Sequence, residues 1–116
     1  MNTKPVVLVV EDEGLLLLDI SCDLRDEGFE VFEAHDADQA MKILEAHPEI
    51  AVLFTDIDMP GSMNGLQLSH IVRNRWPPLK IIITSGMKSP ASGELPKSGI
   101  FLPKPYRTSQ VTAAMA

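Results

Sequence analysis

The chain can be placed in space starting from Ala51-Val-Leu-Phe-Thr-Asp-Ile-Asp-Met-Pro60. Five uncharged residues lead into Asp56, and Ile57, Asp58, Met59 and a proline follow it. A continuous apolar run closed by a Pro/Gly-rich turn reads as a strand buried on both faces, as in parallel sheets. Open α/β sheets bind ligands outside the carboxyl ends of such strands. Asp56 is therefore the candidate reactive residue.

Towards the N-terminus, Val6 to Val10 is a β-branched run and reads as a buried strand ending in Glu11-Asp12-Glu13-Gly14. Leu15 to Gly28 carries Leu17, Ile20 and Leu24 at helical spacing. Phe29 to Ala34 alternates and reads as a second strand. Asp36 with Gln39 has the form of a capping box for a helix through Ala37, Ala40, Ile43 and Leu44, ended by Pro48. The strand Ile50–Thr55 follows.

Beyond it, Gly61 to Asn64 reads as a loop, and Leu66, Leu68, Ile71 and Val72 as a third helix closed by Trp76-Pro77-Pro78. Leu79 to Thr84 is a fourth strand. Ser85 to Gly99 holds Gly86, Pro90, Gly93 and Pro96, so it should be mostly loop, with at best a short helix. Ile100 to Leu102 is a fifth strand, and Thr108 to Ala116 begins a last helix.

Composition sets the bounds. With 116 residues, 45% of them apolar and 22% charged, residues 1–116 are expected to form one globular domain. A net charge of −6 argues against direct nucleic-acid binding, which needs clustered Lys and Arg. The one cysteine, Cys22, excludes an internal disulfide and fits a reducing compartment. Nothing at the N-terminus resembles a signal peptide or membrane span, so a cytoplasmic place without membrane insertion is expected.

Strands alternating with helices imply right-handed crossovers and a parallel sheet covered on both faces. Glu11 and Asp12 then follow strand one, Asp56 ends strand three, Thr84 ends strand four and Lys104 follows strand five. In a parallel sheet all these ends share one edge. Each residue alone has a plainer reading. The acids could be a helix N-terminal cluster, Asp56 a turn residue, Thr84 a satisfied hydroxyl and Lys104 a solvated lysine. Their coincidence at one edge outweighs those readings. Two carboxylates about 5 Å apart repel by roughly 3 kcal/mol at an effective dielectric of ~20, and three could cost on the order of 10 kcal/mol. A domain's net stability is only about 5–15 kcal/mol, so a cation or a proton must relieve the cluster.

The constellation resembles the receiver domain of bacterial two-component response regulators. The matching residues are Val10-Glu11-Asp12-Glu13, Asp56-Ile-Asp-Met-Pro60 with Gly65, Thr84-Ser85 and Lys104-Pro105. The resemblance implies a flavodoxin-like, doubly wound five-stranded parallel sheet of order 2-1-3-4-5 with helices on both faces; here the fourth helix should be short or irregular. It implies that Asp56 accepts a phosphoryl group from the phosphohistidine of a sensor histidine kinase or phosphotransfer protein. Glu11, Asp12, Asp56 and the backbone carbonyl of Asp58 would hold Mg²⁺. Lys104, the Thr84 hydroxyl and the Ser85 backbone N–H would face the phosphoryl oxygens. Thr84 and Phe101 would form a switch reporting phosphorylation to a protein-interaction surface, homodimerisation being one use of it. A cis Lys104–Pro105 bond is also implied.

Two other functions deserve comparison. Asp56-Ile57-Asp58 is similar to the nucleophile segment of haloacid-dehalogenase-type phosphatases, but that family has its nucleophile near the first strand and a second acidic motif after the lysine. No Asp or Glu follows Lys104. A flavin module on the same fold needs a Ser/Thr/Gly-rich phosphate loop after strand one, where Glu11-Asp-Glu13 would repel a phosphate. Against the receiver pattern, the Met59–Gly65 loop is one residue longer, Asp58 adds a fourth carboxylate and the last helix stops early, as in a truncated chain. Cys22 is expected in the core or half-buried, and His35, His47 and His70 at the surface.

Overall fold

Alternation along the strands builds two apolar surfaces on one sheet. In the computed structural model, which describes residues 4–87, 89–91 and 93–116, the elements run β1 (Val6–Val10), α1 (Gly14–Asp26), β2 (Val31–Ala34), α2 (Ala37–Ala46), β3 (Ile50–Asp56), α3 (Gly65–Arg75), β4 (Lys80–Ser85), β5 (Ile100–Pro103) and α4 (Thr108–Met115). All pairings are parallel and the strand order is β2-β1-β3-β4-β5. Leu8, Val10, Leu53, Ile81 and Ile83 face one way, against Ala40 and Leu44 of α2 and Leu68 and Val72 of α3. Val7, Val9, Val52, Phe54 and Ile82 face the other way, against Leu17, Ile20 and Leu24 of α1 and Val111 and Met115 of α4. This is the doubly wound sheet expected from the sequence, and the continuous apolar runs follow from burial on both faces.

A strand start and a helix cap differ from the sequence reading for local reasons. β2 begins at Val31 rather than Phe29, because the Phe29 N–H is used to close α1. It donates to the Leu24 carbonyl at 3.0 Å while the Gly28 N–H donates to Arg25 at 2.9 Å. Gly28 has φ +96, so this is a Schellman-type end, which needs the left-handed conformation that glycine adopts without a Cβ penalty. At α2, Asp36 caps Gln39 N–H as expected, but the Gln39 side chain accepts from His35 N–H rather than from the cap residue. The full reciprocal box occurs at α3, where Asn64 and Gln67 cap each other's N–H at 2.9 Å.

Between β4 and β5 no helix forms among the described residues, as the Gly and Pro spacing predicts. The segment is nonetheless tied down from α3. His70 Nε2 donates to the Glu94 carbonyl at 2.6 Å, and Arg73 Nε donates to that of Lys97 at 2.9 Å. Arg73 Nη1 also reaches the carbonyls of Pro77 and Leu79. Leu95 packs against the α2–α3 side of the core and Pro96 is buried. Among the described residues, no helix is long and apolar enough to cross a membrane.

Candidate functional site

Register delivers the polar residues to one edge. Val10 pairs with Thr55, Asp56 with Thr84, and Ser85 with Pro103, so the strands end nearly level. Glu11 continues β1 and is anchored by its N–H to the Ala34 carbonyl at 3.0 Å; the Lys104 N–H reaches the Ser85 carbonyl at 3.0 Å. The Lys104–Pro105 peptide is cis, as the resemblance implied. The aliphatic stem of Lys104 runs beside Gly86, where a Cβ would lie 3.6 Å from its Cβ and Cδ.

Lys104 Nζ stands between two buried acids, donating to Glu11 Oε1 at 3.0 Å and lying 3.4 Å from Asp56 Oδ2. Glu11 Oε2 accepts the Glu13 N–H at 3.1 Å. Asp56 is only 3% exposed, whereas Asp12 is open to solvent. One carboxylate oxygen from each of Glu11, Asp12 and Asp56 lies within 4.8 Å of the others. Asp56 Oδ1 and Thr84 Oγ1 are buried without a hydrogen-bond partner. A buried carboxylate oxygen without a partner is costly, and hard carboxylate oxygens at this spacing suit Mg²⁺. The residues present therefore fit a divalent cation.

The electrostatics express the same tension. Burial raises the Asp56 carboxyl above its ordinary range, outweighing the pull of the Lys104 ammonium and of the nearby Asp58 main-chain N–H. Burial also raises Glu11, against bonds from Glu13 and Lys104. Burial works against the Lys104 charge, but Glu11 and Asp56 more than offset it and hold the ammonium above its usual value. Tyr106, set edge-on to Phe54 at 5.2 Å, is pushed up to about 12 by burial and the nearby acids, so its phenol stays protonated.

Glycine at position 65 is required by a close approach. A Cβ there would meet the Asp56 carbonyl oxygen at 1.9 Å, and the Gly65 N–H donates to the Ile57 carbonyl at 3.0 Å. The sequence signalled Gly65 only through family resemblance. It gave no sign of another contact: the Ser85 hydroxyl donates to Asp58 Oδ2 at 2.6 Å, turning the extra carboxylate towards the β4 end. That pairing follows from register, since Asp58 and Ser85 lie just beyond the paired Asp56 and Thr84. Phe101 is half-buried on β5, opposite Ile83, and packs against the α2–α3 side of the core.

The expectation for Cys22 is corrected. It is exposed on α1, because the buried stripe runs through Leu17, Ile20, Ser21 and Leu24, and a residue two positions beyond Ile20 points roughly opposite to it at 3.6 residues per turn. His35 and His70 are exposed, while His47 is half-buried against the Phe32 ring at 4.3 Å.

Residues 7–116 match the family model described as the response regulator receiver domain. The chain is 41% identical over 81 residues to an NtrX-like response regulator of Rickettsia felis, a match covering 69% of this chain and 17% of that protein's length. Among solved structures, a response regulator receiver protein from Sinorhizobium medicae superposes with a TM-score of 0.85 at 27% identity, covering 97% of this chain and 92% of that one. One from Pseudomonas putida gives 0.86 at 25% identity, covering 98% and 97%.

Proposed function

The chain belongs to the response regulator receiver domain family, and from that premise we propose that Asp56 accepts a phosphoryl group from the phosphohistidine of a sensor histidine kinase or phosphotransfer protein, in a Mg²⁺-dependent reaction in the cytoplasm. The observation that carries this reading is the buried Asp56 carboxylate, with Oδ2 beside Lys104, Oδ1 without a partner, and Glu11 and Asp12 within 4.8 Å.

An Asp56 carboxylate oxygen forms the new bond to phosphorus as the phosphorus–nitrogen bond of the donor breaks. The electron pair returns to the imidazole, which takes a proton, and the product is an acyl phosphate. Such transfers depend mainly on positioning and on neutralising charge at the equatorial oxygens. The carboxylates of Glu11, Asp12 and Asp56 with the Asp58 main-chain carbonyl would hold Mg²⁺, which supplies part of that neutralisation when bound. Lys104 would exchange a carboxylate partner for a phosphoryl oxygen at little cost, because it already spans Glu11 and Asp56. The Thr84 hydroxyl would gain its first partner, and the Ser85 N–H would add another donor.

Recruitment of Thr84 also frees space that Phe101 can enter, and this is the proposed switch of the interaction surface. With beryllofluoride, a phosphoryl mimic, Phe101 ring resonances should shift in the wild type and much less in Thr84→Ala; equal shifts would leave Phe101 as plain core. The assignment of Asp56 is tested by Asp56→Asn, nearly isosteric with the native residue. This variant should stay folded and take up no stable phosphoryl group from a phosphorylated kinase. Full stoichiometry in the variant would remove Asp56 from the role.

A further inference from the structure

Ser85 is a junction of three loops. Its hydroxyl donates to Asp58 Oδ2 of the β3–α3 loop at 2.6 Å, and its hydroxyl oxygen accepts the Met87 N–H of its own turn at 3.2 Å. Its carbonyl accepts the Lys104 N–H of the segment after β5 at 3.0 Å. Asp58 is itself set by a tight turn in which the Met59 N–H donates to the Ile57 carbonyl at 3.1 Å. A serine hydroxyl rotates freely unless a partner fixes it, and a carboxylate is a strong partner because the bond is charge-assisted. The Asp58 side chain thus points at Ser85, which lies beside the donors Thr84 and Lys104.

We propose that Asp58 is a positioning residue for phosphoryl acceptance, acting through the Ser85 hydroxyl to fix the turn after β4 and so the donors that converge on Asp56. The inference rests on the phosphoacceptor reading. It gives the additional carboxylate a constructive role, although its charge alone would oppose an incoming phosphoryl group. Two effects of opposite sign therefore meet at Asp58, and they differ in whether they need Ser85. Charge repulsion acts with or without the hydroxyl, whereas the latch cannot act without it.

A double-mutant cycle separates them, using beryllofluoride with Mg²⁺ as the probe and the affinity as the readout. Asp58→Ala should weaken uptake about tenfold in the native background, the loss expected of one charge-assisted hydrogen bond. In the Ser85→Ala background it should leave uptake unchanged or strengthen it. Asp58→Asn keeps an acceptor oxygen and should recover most of the affinity. Without probe or metal, amide exchange at Met87 should speed up about tenfold both in Asp58→Ala, where the hydroxyl loses its anchor, and in Ser85→Ala, where the Met87 N–H loses its acceptor. Equal effects of Asp58→Ala in the two backgrounds, or unchanged exchange, would overturn the latch. A wild-type protein that takes up no probe would instead overturn the phosphoacceptor reading, and the proposal with it.

Discussion

Asp56 is held in an environment that opposes its own charge. Burial raises its carboxyl above the unfolded value, so the folded chain takes up this proton at a higher pH than the unfolded chain does. Such a group contributes stability that is fully present below its unfolded pKa, about 4, and is lost as pH rises through the folded pKa. Without metal, the stability difference between wild type and Asp56→Asn should therefore shift in favour of the wild type as pH falls from 7 towards the unfolded value. Urea unfolding at several pH values measures it; a difference that is flat, or that moves the other way, would mean the carboxyl is charged at no cost. Sequence made this residue legible because its apolar lead-in required burial and its position required a strand end. Cys22 and the Asp58–Ser85 contact were not legible. The first turns on which stripe of α1 faces the sheet, and the second on a register that only pairing of β3 with β4 defines.

At the scale of elements, the path of the chain past the site depends on α3 starting against the back of β3. Gly65 allows this: a Cβ would fall 1.9 Å from the Asp56 carbonyl oxygen and 2.9 Å from Ile57 Cα, both backbone atoms. Gly65→Ala should therefore cost about 2–3 kcal/mol, the upper part of the usual range for forced overpacking. Gly14→Ala, where nothing lies within 4 Å, should be neutral or slightly stabilising because it reduces the freedom of the unfolded chain. Thermal unfolding of the two variants checks the contrast; similar small effects would show that the α3 start yields easily. The strands were readable from their apolar runs, and the lack of a helix among the described residues between β4 and β5 from its Gly and Pro. What replaces that helix was not readable. The ties from His70 and Arg73 run to main-chain carbonyls, which leave no mark in residue type, and the start of β2 moved because a helix cap claimed the Phe29 N–H.

For the whole molecule, the acidic edge makes stability and ligand occupancy one problem. Under the proposed function, Mg²⁺ binds the folded cluster and not the unfolded chain, so it should stabilise by RT ln(1 + [L]/Kd), about 2.7 kcal/mol at a hundredfold excess over Kd. For a domain of this size that is a rise in Tm of roughly 10 °C. Asp12→Ala removes one of the three converging carboxylates and should lose most of that rise; equal responses in the two proteins would exclude Asp12 from the metal site. In the proposed function this sheet edge carries a phosphoryl group on Asp56. The most direct test is peptide-mapped mass spectrometry after incubation with acetyl phosphate, with and without Mg²⁺. One added phosphoryl group is expected, on Asp56 and only with Mg²⁺; a phosphoryl group on another residue, or none under either condition, would contradict that role.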